Sequence, residues 1–303
     1  MPKSLNPSPC CRFCECIQCE TLGDITDSDM FAGGITTTPL HGGKLWHCSS
    51  CNSLFRDPVL SESEYMALYS AVDTNIWEEN ALRKDQTIVQ SAVKRAVASG
   101  KVLDAGCFAG QFLSALPECY EKFGVEPSLK ATESAKSKGV KMLGGTINDV
   151  PDNMQFDCIV SIDVLEHLLN PVSFIEKALQ LLKPSGSLII STGNPNSFAW
   201  RHIFKSRFWY VTNAEHVSFL SQKFIKALAK KNGCEVTEIE NFKYADVGIK
   251  RTLVKLFGQS LFAISPKLYT LTRGTKVDNS KYPSIYSLGV FKDHHVITIR
   301  KSV

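Results

Sequence analysis

From residue 101 onward, short apolar runs alternate with segments of helical periodicity. The runs predicted as strands cover 101–106, 122–127, 140–145, 156–163, 187–192, 234–241 and 294–301. Helical segments follow most of them, at 108–116, 129–139, 171–183 and 221–233. This alternation favours an α/β fold with a doubly wound, Rossmann-like and mostly parallel seven-stranded sheet. Ligands bind such sheets at the carboxyl ends of the strands, so the residues there are the first candidates for function.

Acids and glycines stand at the ends of the first two predicted strands. Asp104-x-Gly106-x3-Gly110 follows the first strand, and Glu126 ends the second. Such glycines let the backbone approach a ligand, and an acid in the second position can accept both hydroxyls of a ribose. The G-x-G-x-x-G spacing of nicotinamide sites is absent, since Phe108 stands two residues after Gly106. An acid before the glycine turn would also repel a pyrophosphate, whereas it suits the cationic S-adenosylmethionine.

Four segments then resemble motifs of the class I S-adenosylmethionine-dependent methyltransferases, over about residues 100–240. VLDAGCFAGQFL resembles the first motif, with Phe108 in place of the usual middle glycine, and GVEPS resembles the ribose motif. FDCIVSIDVLEHLLNP and LLKPSGSLIIST resemble the motifs of the fourth and fifth strands. The resemblance implies S-adenosyl-L-methionine as cofactor. It places the methionine part at Asp104, Gly106, Cys107 and Gly110, the ribose at Glu126, the adenine near Thr146 and Ile147, and Asp163 in the same site.

The cysteines set the first 60 residues apart. Of 11 cysteines, seven lie within the first 51 residues. The start of the chain has no apolar signal region and no stretch approaches 18 apolar residues, so we expect a cytoplasmic, reducing location and no disulfide framework. The spacing predicts a zinc-ribbon lobe over 1–60, in which two C-x2-C knuckles hold one structural zinc through Cys11, Cys14, Cys48 and Cys51. Cys16 and Cys19 form an overlapping knuckle and stay open as alternative ligands.

Three further segments complete the predicted organisation. Residues 61–99 form a helical connector that closes at Gly100, and residues 100–303 form the methyltransferase domain. The loop 194–213 is rich in aromatic and basic residues and is predicted to be a lid over the acceptor, or to pack on its own lobe. A basic helical insertion at about 247–277 has six basic and no acidic residues. It is expected to pack on the domain, with an anionic membrane surface as the alternative partner.

The segment after the fourth strand carries the candidates for chemistry on the acceptor. Glu166 and His167 follow Asp163 in the D-V-L-E-H stretch, and His216 precedes a later helix. One hypothesis makes His167 or His216 a general base, with Glu166 beside them. Another makes Asp163, Glu166, His167 and His216 a divalent-metal site, as in similar motifs of small-RNA 2′-O-methyltransferases and ubiquinone-type O-methyltransferases. A third gives Glu166 and His167 only a structural role. All three stay open.

These patterns predict a methyltransferase that acts on a small-molecule or sugar-like acceptor at oxygen. A ribbon lobe ahead of such a domain is similar to bacterial methyltransferases of polysaccharide and secondary-metabolite pathways. The fourth strand lacks the [DN]-P-P-[YF] signature of amino-directed nucleic-acid methyltransferases. With 34 basic and 30 acidic residues, the net charge of +4 does not indicate a nucleic-acid partner. An RNA 2′-O-methyltransferase and a non-catalytic, cofactor-binding adaptor remain as alternatives.

Overall fold

The structure, a computed structural model, describes residues 9–71, 81–245 and 291–302. These residues form thirteen strands: β1 Cys19–Asp24, β2 Ser28–Phe31, β3 Gly34–Leu40, β4 Lys44–Cys48, β5 Leu54–Asp57, β6 Gly100–Ala105, β7 Tyr120–Val125, β8 Lys141–Gly144, β9 Phe156–Ile162, β10 Leu182–Gly193, β11 Ser218–Phe219, β12 Cys234–Phe242 and β13 His294–Lys301. Their α-helices are α1 Glu62–Ala71, α2 Lys84–Ala96, α3 Gln111–Ser114, α4 Leu129–Ser137, α5 Pro171–Gln180, α6 Trp209–Thr212 and α7 Gln222–Lys231.

The large sheet confirms the predicted fold class. Its seven strands lie in the order β12-β13-β10-β9-β6-β7-β8, and neighbours pair in parallel except at β13, which is antiparallel to both β10 and β12. The order reverses between β6 and β9, so the loops that follow these two strands flank one crevice. The central strands are buried on both faces, which explains why the sequence shows continuous apolar runs there.

Local signals explain where most helices begin. Asn170 caps α5 by accepting the Ser173 N–H at 3.2 Å, and Pro171 then occupies the first helical turn. Two differences from the predictions have local causes. The helix predicted over 108–116 is only the short α3, because Gly110 is its left-handed N-cap. The prediction that Gly100 closes the connector is wrong: α2 ends at Ala96, and Gly100 begins β6.

The N-terminal lobe is built on a small antiparallel sheet with a hairpin beside it. The sheet has the order β1-β4-β5-β11, and β2 pairs with β3 to form the hairpin. Strand β11 comes from residues 218–219, far along the chain, and pairs with β5 through Ser218–Phe55 and Phe219–Leu54. The lobe and the α/β domain therefore share a sheet, so residues 1–60 do not close this sheet by themselves.

The loop predicted as a lid is largely packed against this lobe. Trp200, Phe208 and Tyr210 are buried in one cluster with Leu45 and Leu54 of the lobe. The basic helical insertion predicted at about 247–277 lies outside the described residues. Within the ranges that the structure describes, no helix is long and apolar enough to cross a membrane.

Candidate active site

Asp104 lies at the end of β6 with a carboxylate that is only partly satisfied. Asp104 is 3% exposed, and Oδ1 of its carboxylate has no hydrogen-bond partner in the described structure. Burial, reinforced by the nearby charge of Glu126, raises the pKa of Asp104 to about 8. A buried acceptor without a donor costs free energy, which an ammonium group bound against it would recover. The site therefore fits the amino group of the predicted cofactor.

The loop after β6 brings its backbone to the same crevice. Gly106 has φ +94°, and a Cβ there would come within 2.5 Å of Cγ2 of Val164. This position therefore requires glycine for two reasons: the left-handed backbone, and the close approach of the loop that follows β9. The Gly106 N–H donates to the carbonyl of Val125 at 3.0 Å, which ties this loop to the end of β7.

Phe108, which replaces the usual glycine of the resembling motif, adopts the conformation that a glycine would favour. Its φ is +46°, a left-handed value that costs a non-glycine residue about 1 kcal/mol. In this conformation its N–H donates to Glu126 Oε2 at 3.0 Å, while Ser128 N–H donates to Oε1 at 2.9 Å. A carboxylate has about four lone-pair sites, so Glu126 retains acceptors for ligand hydroxyls. The loop thus positions the predicted ribose acceptor.

Three other predicted cofactor contacts have side chains engaged within the protein. Cys107 is 4% exposed, and its Sγ lies 3.9 Å from Sδ of Met142. Ile147 is 3% exposed in the apolar core, and the hydroxyl of Thr146 lies 3.2 Å from an oxygen of Asp149. Any contact of Cys107 or Ile147 with a cofactor would therefore be made chiefly by the backbone. The predicted roles of these three residues stay predictions.

Arg83 and Asp85, at the start of α2, join Asp163 in a charged cluster that sequence reasoning missed. Arg83 Nη2 donates to Asp85 Oδ2 at 2.8 Å and to Asp163 Oδ2 at 2.9 Å. Asp163 has φ +52°, and its buried Oδ1 has no partner in the described structure. Burial raises the pKa of Asp163 well above its usual value, because the opposing charge of Arg83 only partly offsets it. The only signal in the sequence was the stretch Arg83-Lys84-Asp85 at the start of the helix. Charged residues are common in the first turn of any helix, so this stretch did not indicate a site.

Glu166 is a fully buried carboxylate held by two hydroxyl donors. Its Oε1 accepts from the hydroxyl of Tyr210, and its Oε2 accepts from Thr192 Oγ1 at 2.8 Å. Thr192 comes from β10 and Tyr210 from α6, so three elements meet at this one side chain. Burial, followed by the charge of Glu166, raises the pKa of Tyr210 well above its usual value and keeps the phenol protonated.

The two candidate histidines lie beside this carboxylate. Ligand atoms of Glu166, His167 and His216 are all within 4.8 Å of one another, and the two imidazole rings meet edge to face with centroids 4.8 Å apart. Asp163 is outside this group and pairs with Arg83 instead. The four-residue metal site of the sequence hypothesis therefore reduces to three residues in this structure. Such a cluster can act either as a base or as a divalent-cation site.

Each histidine has a partner on Nδ1. His216 Nδ1 lies 2.7 Å from the carbonyl oxygen of Tyr210, which can only accept, so His216 carries its proton on Nδ1. Burial lowers the pKa of His216 well below its usual value, which keeps the ring neutral. His167 Nδ1 lies 2.8 Å from the hydroxyl of Tyr69 on α1. The free electron pair of His216 is therefore on Nε2.

The four predicted zinc ligands come together in the N-terminal lobe. Their sulfurs lie within 4.8 Å of one another, with Cys11 Sγ 3.7 Å from Cys51 Sγ and Cys14 Sγ 3.6 Å from Cys48 Sγ. Tetrahedral zinc with bonds of about 2.3 Å would place sulfurs about 3.8 Å apart, so the residues fit zinc. The contact between the two sulfurs lowers the pKa of Cys51 and raises that of Cys11, so Cys51 is the readier of the two to form a thiolate.

Both knuckles have the same backbone geometry. In each one the residue after the second cysteine is left-handed, Glu15 with φ 59° and Asn52 with φ 68°. Their N–H groups donate to the carbonyls of Cys11 and Cys48, both at 2.8 Å. Cys16 and Cys19 are outside the four-sulfur group among the residues that the structure describes.

Comparisons with known proteins agree with this geometry. The family model of a methyltransferase domain matches residues 77–239, more than half of the 303 residues. The chain is 27% identical over 130 residues to the mitochondrial ubiquinone biosynthesis O-methyltransferase of Dictyostelium discoideum, with 38% of each protein covered. It is 31% identical over 158 residues to the ubiquinone biosynthesis O-methyltransferase of Rickettsia canadensis (strain McKiel), with 48% of this chain and 66% of the relative covered. In both cases less than two thirds of the relative's length is matched.

A solved structure shows the same fold. The 1,6-didemethyltoxoflavin-N1-methyltransferase of Burkholderia thailandensis, solved with 1,6-didemethyltoxoflavin and S-adenosylhomocysteine bound, has a TM-score of 0.51 to this chain. The alignment covers 85% of this chain and 99% of that one at 13% identity. Likeness at so low an identity concerns the fold alone.

Proposed function

We propose, since the chain belongs to the family of S-adenosylmethionine-dependent methyltransferases, that it methylates an oxygen of a small-molecule or sugar-like acceptor. The observation that carries the proposal is the cluster of buried Glu166 and His216 with partly exposed His167 beside the crevice of the sheet. A hydroxyl is a weak nucleophile at neutral pH and gains from a neighbouring group that accepts its proton. The two relatives named above are O-methyltransferases, which supports oxygen as the methylated atom.

The cofactor would be held by the residues at the ends of β6 and β7. Asp104 would accept a hydrogen bond from the amino group, and Glu126 would accept from the ribose hydroxyls. Arg83 places a guanidinium at the same edge of the sheet, where it could meet the carboxylate of the methionine part. When bound, S-adenosylmethionine supplies an electrophilic methyl group. The chain would contribute mainly positioning, together with exclusion of water from the crevice.

His216 is the histidine whose tautomer its contacts define, although its lowered pKa makes it a weaker base than an ordinary imidazole. Its neutral ring, with the proton on Nδ1, leaves Nε2 as an acceptor toward the cluster. Two hypotheses from the sequence remain for its use. In one, Nε2 of His216 or His167 accepts the proton of the acceptor hydroxyl directly. In the other, Glu166 and both histidines hold a divalent cation, which would lower the pKa of that hydroxyl.

We also propose that Cys11, Cys14, Cys48 and Cys51 hold one structural zinc. Four cysteine ligands fill a tetrahedral site and leave no position for a reacting water. The zinc would therefore stabilise the lobe and take no direct part in methyl transfer. The cytoplasmic location remains a prediction.

The decisive experiment traces a labelled methyl group. Purified protein, S-adenosylmethionine labelled in its methyl group and a metabolite-and-polymer extract of the source cell would be incubated, and label would be followed into small-molecule, sugar, lipid, RNA and protein fractions. Asp104→Asn and His216→Asn serve as variants. We expect label in the small-molecule or sugar fraction, reduced at least about 100-fold in His216→Asn.

Each other result has a defined meaning. Label in RNA would contradict a small acceptor and favour the 2′-O-methyltransferase alternative. Cofactor binding without transfer into any fraction, in an extract shown to contain pathway intermediates, would favour the adaptor. Undiminished transfer in His216→Asn would remove His216 from the chemistry. Comparing magnesium-supplemented with magnesium-free reactions separates the two hypotheses for the cluster, since only a metal site predicts dependence on the cation.

A further inference from the structure

The segment that carries His216 is held by an arginine of the N-terminal lobe. Arg56 lies on β5 and is 3% exposed. Its Nη2 donates to the carbonyls of Val211 at 2.5 Å and Asn213 at 2.9 Å, and its Nη1 donates to the carbonyl of Ala214 at 3.1 Å. A buried guanidinium is costly unless its donors are satisfied, and here main-chain oxygens accept from both terminal nitrogens, while Nε has no partner in the described structure. One side chain thus fixes three peptide groups in the turn before His216.

The same strand also fixes the chain after His216. The Arg56 N–H donates to the carbonyl of Val217 at 3.0 Å, and the Val217 N–H donates to the carbonyl of Glu166 at 2.7 Å. Ser218 then enters the lobe's sheet opposite Phe55. His216 is therefore held from both sides by β5, through the guanidinium before it and through strand pairing after it.

This support continues into the cysteine knuckles. Arg12, between Cys11 and Cys14, donates to the carbonyl of Arg56 at 2.6 Å. On the other side, Ser221 Oγ donates to the carbonyl of Cys51 at 2.6 Å. Both knuckles are thus hydrogen-bonded to the chain that holds or follows His216.

The second histidine is also supported from outside the methyltransferase core. Tyr69 of α1 places its hydroxyl 2.8 Å from Nδ1 of His167. Phe31 of the lobe's hairpin packs against the Tyr69 ring with centroids 4.8 Å apart and a tilt of 73°. His167 is therefore oriented by the connector helix, and that helix is in turn packed against the lobe.

From these contacts we infer that the N-terminal lobe completes the acceptor site, with Arg56 as the positioning residue for His216 and Tyr69 as that for His167. This inference rests on the proposed function and goes beyond a lobe that only adds stability. Neither residue touches the reacting atoms. Each acts by holding an imidazole where a displacement of about 1 Å can cost about 100-fold in rate.

The test uses the full zinc-loaded chain labelled with nitrogen-15 at its seven histidines. Long-range proton–nitrogen correlation spectra distinguish the two neutral tautomers from each other and from a ring that exchanges between them. The His216→Asn variant assigns the His216 signal. We expect His216 of the unmodified protein to show one neutral tautomer with Nδ1 protonated. Arg56→Lys keeps the charge but cannot reach three carbonyls in the geometry of a planar guanidinium. We expect it to abolish that single-tautomer signal.

A matched control removes a different contact between the lobe and the domain. Lys223 is exposed and donates through Nζ to the carbonyl of Ser50 at 2.5 Å. Lys223→Met should leave the His216 signal, the cofactor affinity and methyl transfer unchanged. Arg56→Lys should lower methyl transfer at least ten-fold while cofactor affinity stays within about two-fold, since Asp104 and Glu126 lie on other elements.

Two outcomes would overturn the inference. One is an unchanged His216 tautomer in Arg56→Lys. The other is an equal loss of the signal in Lys223→Met, which would mean that the lobe acts only through general stability. If Arg56→Lys does not fold, Tyr69→Phe tests the same idea at His167 by removing one hydroxyl, and an unchanged His167 signal would then overturn it. Absence of any methyl transfer by the unmodified protein would instead contradict the proposed function, whereas unaltered transfer in His216→Asn would remove only His216 from the chemistry.

Discussion

At the scale of single residues, the loop after β6 combines what the motif predicts with one departure from it. Asp104 and Glu126 were identified from their positions at strand ends, and the structure places them at one crevice. Phe108 departs from the usual glycine, yet its left-handed backbone directs its N–H to Glu126. The departure therefore preserves the geometry of the loop. That Asp104 has an unpartnered oxygen depends on its three-dimensional neighbours and could not be deduced from the motif.

Asp104→Asn should change how the stability of the cofactor-free protein depends on pH. Burial raises the pKa of Asp104 to about 8 in the folded state, so the folded protein keeps a proton that the unfolded chain releases near pH 4. The stability contributed by protonated Asp104 is complete below pH 4 and is lost as the pH rises toward 8. The variant does not titrate there. Its free energy of unfolding should therefore increase relative to the unmodified protein by up to about 1.4 kcal/mol per pH unit.

Urea unfolding between pH 5 and pH 8.5 measures this difference. Asp24→Asn, which removes an exposed carboxylate of β1, is the matched control for the loss of one charge. A difference between Asp104→Asn and the unmodified protein that is constant over this range would contradict the burial of an unsatisfied carboxylate.

At the scale of elements, α7 links the two halves of the molecule through its N-cap residue, Ser221. Ser221 is fully buried, and its Oγ both accepts from the Phe224 N–H at 3.0 Å and donates to the carbonyl of Cys51. The sequence predicts a helix here, and serine is a favoured cap. It gives no sign that the same hydroxyl contacts a cysteine knuckle, because that contact joins residues 170 positions apart.

Ser221→Ala should therefore destabilise the protein more than the loss of an ordinary cap. We expect a decrease of about 2–3 kcal/mol in the free energy of unfolding, from a lost cap and a buried carbonyl left without its donor. Ser128→Ala is the matched variant, since Ser128 caps α4 through the Ala131 N–H and its cap involves no lobe residue. Ser128→Ala should lower the free energy of unfolding by about 1 kcal/mol. Equal losses in chemical denaturation would show that the contact with Cys51 contributes nothing.

At the scale of the whole molecule, the lobe and the methyltransferase domain are joined by shared structure. Strand β11 belongs to the lobe's sheet, and Trp200 of the domain is buried against lobe residues. The cysteine site should therefore influence both halves. Loss of the proposed zinc would be expected to disturb the turn at His216 as well as the knuckles, because β5 supports both.

Removal of one zinc ligand tests the metal site at this scale. Cys48→Ser should reduce the zinc content of the purified protein from about one per chain to near zero, since a closed site needs all four ligands. Cys16→Ser and Cys19→Ser are the controls and should retain the metal. Elemental analysis by mass spectrometry gives the zinc content. Loss of zinc in Cys19→Ser but not in Cys14→Ser would favour the overlapping knuckle instead.

The sequence by itself determined the sheet, the loop after β6 and the two C-x2-C knuckles, because each depends on local periodicity or on residues a few positions apart, while Cys16 and Cys19 stayed open as alternative ligands. Strand β13 was predicted over its full length, and Asp104 and Glu126 follow directly from strand ends. Only the tertiary structure decided that Arg83 pairs with Asp163, that Asp163 leaves the histidine cluster, and that Arg56 holds the turn before His216. These contacts join residues far apart in the chain, where side-chain geometry and burial choose the partner. The acceptors of Arg83 and Arg56 come within hydrogen-bond distance only after the chain has folded.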